Sequence, residues 1–84
     1  MATDYQVVLL EELDWPGNSK REVIKAAAEV GMQLDVATYG MLVFSFRGYP
    51  EAALRTLAKA TKLCAFDHAY TRRMPEGALE VCTL

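Results

Sequence analysis

Apolar and polar positions along this chain follow two periods, and the switches between them mark out its elements. Tyr5-Gln6-Val7-Val8-Leu9-Leu10 is apolar on both sides at its centre, as an interior strand is. Val23, Ile24, Ala27 and Val30 recur at helical spacing and predict a helix over 20–30. Met32-Gln33-Leu34-Asp35-Val36 alternates strictly, which predicts an edge strand with one wet face. After a turn at Ala37-Thr38-Tyr39-Gly40, Met41 to Arg47 is a strand rich in aromatic and branched residues. Leu42, Phe44 and Phe46 share one of its faces, and Met41, Val43, Ser45 and Arg47 share the other. Leu54, Leu57, Ala58 and Thr61 form the buried stripe of a second helix. Leu63 to Arg72 reads as a fourth strand, with Phe66, His68 and Tyr70 on one face and Ala65, Asp67 and Ala69 on the other. Ala78 to Thr83 returns as a short fifth strand.

Local signals agree with these boundaries. Pro16-Gly17 is a turn, since proline presets φ and glycine tolerates positive φ. Ser19 followed by Glu22 is a capping box, and Gly31 stands where a left-handed helix cap is expected. Pro50 suits the first turn of the second helix, and Glu51 with Arg55 makes a favourable i,i+4 pair. Met74-Pro75-Glu76-Gly77 is a turn, and centring it on Pro75-Glu76 places Cys82 opposite Ala69, away from Cys64.

The resulting order, β-α-β-β-α-β with a terminal strand, is the split β-α-β or ferredoxin-like plan. It predicts one α+β domain over 1–84: an antiparallel sheet with two helices on one face. Strands one and three, apolar on both sides, take the centre. The other sheet face is left open. If Leu42, Phe44 and Phe46 meet the helices, Met41 and Val43 face outward. One register of the first strand adds Val8 and Leu10, and Phe66, His68 and Tyr70 join them. An apolar patch of that size on a small protein either marks an interface, with Arg47 and Tyr70 as anchors at its rim, or is covered by the terminal strand and the residues around Trp15.

Composition narrows the function. The formal charge is −2, where a general nucleic-acid binder is basic. Phe44, Phe46, Phe66 and Tyr70 invite comparison with RNA recognition modules, which display aromatics on such a sheet. The basic aromatic strand motif of that family is absent, so nucleic acid is not expected as a partner. No apolar run approaches the ~18 residues of a membrane span, and the expected location is the cytoplasm. His68 is the sole histidine, Asp67 lies on the opposite strand face, and Cys64 is too far along the strand to pair with it. Cys64 and Cys82 have no zinc spacing, and Glu11, Glu12 and Asp14 have no partner ligands. Neither catalysis nor a cofactor or metal is expected. Lys20 and Arg21 put two cations in the first turn of a helix, against its dipole, where they could receive a carboxylate or phosphate.

At Asp14-Trp15-Pro16-Gly17 the chain resembles the ACT domain, which often carries an Asp-x-Pro-Gly turn between its first strand and helix. Ala28-Glu29-Val30-Gly31-Met32-Gln33-Leu34 resembles that family's helix end and following strand, and the likeness runs from Val7 to Tyr70. Asn18-Ser19-Lys20-Arg21 stands where the family usually has aliphatic residues. The resemblance implies side-by-side pairing and an amino-acid ligand near the turn, at Asp14, Gly17 and Asn18. Two functions are therefore expected. The first is a non-catalytic regulatory or inhibitory module, a phage-type inhibitor included, that binds a protein partner or a second copy through its open face or an edge strand. Its contact residues would be Met41, Val43, Arg47, Phe66, His68 and Tyr70. The second is an ACT-like small-ligand sensor.

Overall fold

The structure, a computed structural model, describes residues 3–11, 19–61 and 68–84. Seven elements follow in order: β1 (Asp4–Leu10), α1 (Ser19–Glu29), β2 (Gln33–Thr38), β3 (Met41–Arg47), α2 (Glu51–Ala60), β4 (His68–Arg73) and β5 (Glu80–Thr83). The strands form one sheet in the order β2-β3-β1-β4-β5, and every neighbouring pair is antiparallel. The two strands read as apolar on both sides, β1 and β3, lie inside the sheet, and β2 is an edge.

One face of the sheet carries the core. Val7 and Leu9 of β1, Leu42 and Phe44 of β3, Ala69 of β4 and Cys82 of β5 cluster with Val23 and Ala27 of α1 and Leu54 and Leu57 of α2. Ile24, Phe46 and Ala58 pack against that cluster. The helical stripes read from spacing are thus the buried ones. Each large aliphatic side chain sealed there contributes roughly 1.5–3 kcal/mol of transfer free energy. Thr61, buried at the end of α2, donates its hydroxyl to the Leu57 carbonyl at 2.9 Å, so no polar group is stranded there.

The helix ends follow from particular residues. Gly31 has φ +89, and its N–H donates to the Ala28 carbonyl at 3.1 Å. The Met32 N–H donates to Ala27 at 2.9 Å, and the Met32 side chain is buried. Those two bonds and the apolar residue after the glycine are a Schellman cap. Pro50 caps α2 from outside it, without a side-chain hydrogen bond, and its carbonyl accepts the Leu54 N–H at 2.8 Å. Glu51 and Arg55 form the expected pair at 2.8 Å.

The β4–β5 connection has the expected centre: Thr71 pairs with Glu80 and Ala69 with Cys82. Gly77 is required there by close approach, because a Cβ on it would lie 2.5 Å from the Arg73 carbonyl oxygen. β5 begins at Glu80 rather than Ala78. The described part of β4 begins at His68, so the strand expected over 63–67, with Cys64 and Phe66, lies outside the described residues. The Pro16-Gly17 turn and the Ser19 side chain of the capping box lie outside them too.

β2 departs from its expected form. Strict alternation places Leu34 and Val36 on the same side, but a bulge between them shifts the register. Leu34 pairs with Phe44 and Val36 with Val43, so the two point to opposite faces. An extra residue in one strand of a pair does this, and the bend also blunts an edge. All six residues of β2 are exposed.

Candidate protein-binding face

The registers line up the second face of the sheet in rows. Val36, Val43, Val8, Tyr70 and Val81 are successive partners across β2, β3, β1, β4 and β5. This single row of aliphatic and aromatic side chains crosses all five strands. Beside it runs a second row: Thr38 of β2, Met41 of β3 and Leu10 of β1, with His68 of β4 and its partner Thr83 of β5. On the other side runs a polar row of Gln33, Ser45, Gln6 and Arg72. Among the described residues, neither helix lies on this face; both bury their stripes in the core on the opposite one.

Exposure varies along the apolar row. Val81 is 60 % exposed and Val36 is 43 %, as is Leu10 in the next row. Met41, Val8, His68 and Tyr70 are half-buried. Val43 does face outward as expected, yet only 7 % of it is exposed. It sits in an interior strand, flanked by Val8 and Val36 across the sheet, so it is the floor of the face and not a projecting anchor. Tyr70 stands in the central row and not at the rim, its ring edge-on to His68 with centroids 5.3 Å apart.

Polar groups border the apolar rows. Ser45 Oγ donates to Asp35 Oδ1 at 3.4 Å, next to the bulge. Arg47 keeps its expected place at the rim, where its Nε donates to Asp4 Oδ1 at 3.3 Å across the strand pair. Arg72 differs, since its Nε is buried without a hydrogen-bond partner among the described residues. A groove of about 460 Å³ runs along this end of the sheet, lined by Asp4, Gln6, Asp35, Ser45 and Arg47 among others.

The comparison with RNA recognition modules fails on geometry. Phe44 is fully buried in the core and Phe46 packs against that core, because alternation along β3 turns both toward the helices. Of the four aromatics in that comparison, Tyr70 alone stands on the open face among the described residues.

The cation at the start of α1 has its anion within the chain. Lys20 Nζ donates to the Thr38 carbonyl at 2.6 Å and lies 3.3 Å from Glu11 Oε2. It ties the helix N-terminus to the β2–β3 turn, whose Gly40 carbonyl also accepts the Glu11 N–H at 2.9 Å. Arg21 is exposed. The ligand residues implied by the ACT resemblance, Asp14, Gly17 and Asn18, lie outside the described residues. Among the described residues, no group of three His, Cys, Asp or Glu side chains could hold a metal ion. No helix among them is long and apolar enough to cross a membrane.

Cys82 is a free thiol on the core side of β5. Burial pushes its pKa up from the ordinary value, the Glu51 carboxylate adds to the rise, and Arg55 opposes it. A raised pKa leaves less of the thiol as thiolate at neutral pH.

Sequence reasoning missed Val36, Val81 and Arg72. Nothing in the composition of β2 marks the bulge that turns Val36 outward. Val81 was within reach, because the turn centre that pairs Cys82 with Ala69 also pairs Val81 with Tyr70. Comparison with protein-family models, with curated proteins and with solved structures found no match.

Proposed function

We propose that this chain is a non-catalytic protein-binding module on the split β-α-β, ferredoxin-like plan, and that it works through the sheet face opposite its helices. The plan is supported by the element order and by β1 and β3 lying inside the sheet. One observation carries the function: the apolar row Val36–Val43–Val8–Tyr70–Val81, which crosses every strand on the face away from the core. Its two ends are the exposed ones. Apolar surface gathered in one band, with a polar row beside it, has the anatomy of an interface core and rim. Regulation or inhibition of a larger assembly is the role such a module would serve.

The test is a double substitution at the two exposed ends, Val36→Asp with Val81→Asp. Circular dichroism and melting should stay close to wild type, while association, read by sedimentation and by affinity capture from the native source, should fall at least tenfold. A wild-type protein that remains monomeric at high concentration and captures no protein that the variant fails to capture would end the reading.

A further inference from the structure

We infer that the occupant of this face is a second copy of the chain, docked face to face about a two-fold axis parallel to the strands and passing along β1. This rests on the protein-binding reading above and names its partner. Size permits it. The 30 strand residues, each covering about 3.4 by 4.8 Å of sheet, make a face of roughly 490 Å², or ~1,000 Å² for two copies before side-chain relief. A specific interface needs about 1,000 Å² in total.

The pattern of the face selects the partner and the axis. An axis along β1 sets β2 over β5, β3 over β4, and β1 over itself. The apolar row then falls on its own copy: Val8 meets Val8, Val43 meets Tyr70, and Val36 meets Val81. In the next row Leu10 meets Leu10 and Met41 meets His68. In the polar row Arg72 lies opposite Ser45 and the Asp35 carboxylate bonded to it. Arg72 is the residue whose Nε has no hydrogen-bond partner among the described residues. Asp4 falls near its own copy, but each Asp4 carries Arg47 as counter-charge. An axis along the rows would instead press Met41, Leu10 and His68 onto Ser45, Gln6 and Arg72, setting apolar groups on polar ones and the histidine on a guanidinium. The face therefore complements itself in one orientation and not in the other. Aligned sheet stacking, with the usual offset of about 30° from strand twist, keeps the central contacts nearest this arrangement.

Sedimentation equilibrium with charge reversal tests it. Wild type should dimerise. Arg72→Glu and Asp35→Arg should each weaken the dimer by tenfold or more. Their combination should restore it to within about threefold, because each reversed charge again faces its opposite. Leu10→Cys, on the axis, should be joined to its own copy by a short bismaleimide, whereas Ala52→Cys on the exposed face of α2 should not. The cross-link keeps the inference testable should a charge variant fail to fold. A wild type that is monomeric throughout, a double variant no better than the singles, or Leu10→Cys that links no faster than Ala52→Cys overturns self-pairing. In the monomeric case the capture experiment with Val36→Asp and Val81→Asp still decides the protein-binding reading on its own.

Discussion

Cys82 shows how a single side chain reports its surroundings. Its thiol is removed from water on the core side of β5, and burial before all else raises its pKa above the ordinary value of 9.0. The unfolded chain ionises this thiol near 9.0, while the folded chain keeps the proton. The stability contributed by the neutral thiol is therefore whole below pH 9 and is lost as pH climbs through the higher folded value. Urea unfolding of wild type and Cys82→Ala between pH 7 and 10.5 should show a steeper alkaline decline for wild type. Equal slopes would mean that the thiol is wetter than its place in the sheet implies.

At the scale of elements, α2 offers the clearest test of the core. Leu54 and Leu57 are both fully buried and meet Val23, Ala27 and Phe44. Leu57→Ala removes three carbons and leaves a cavity, so it should cost about 2–4 kcal/mol by urea titration, a large share of a small domain's stability. An unchanged midpoint would show that this face of α2 does not bear the core. Much of this was legible in the sequence, because helix stripes and caps are local. The spacing of Leu54, Leu57 and Thr61, the glycine after Val30 and the turn at Pro75-Glu76 each act within a few residues. They placed both buried helix faces and the Ala69–Cys82 pairing. The bulge in β2 was not legible. The run from Met32 to Val36 alternates without a break, and only pairing with β3 reveals that Asp35 is the extra residue. The candidate face was half legible for the same reason. Alternation assigned Met41 and Val43 to the correct side, but the row that joins them to Val36 and Val81 exists only once five strands are in register.

At the scale of the molecule, the two sheet faces differ in kind, and Val43 with Val81 distinguishes a sealed position from an open one on the same row. Both are valines on the face away from the helices. Val43 is 7 % exposed in an interior strand and Val81 is 60 % exposed on the edge strand β5. A carboxylate at position 81 reaches water, so Val81→Asp should change stability by no more than about 0.5 kcal/mol. A carboxylate at position 43 must either be desolvated or push its neighbours apart, at a cost on the order of 3 kcal/mol or more at neutral pH. The introduced carboxyl should also respond to acid in a definite direction. Burial raises its folded pKa above the unfolded value of about 3.9, so the neutral form fits best and the penalty shrinks as pH falls toward 4. Thermal melts of wild type and both variants at low protein concentration, from pH 4 to 8, measure this directly. The gap between wild type and Val43→Asp should widen as pH rises, and that for Val81→Asp should stay nearly flat. Equal, small effects at both positions would show that the face is as open at its centre as at its edge, so that assembly would have to bury Val43 as well as Val36 and Val81.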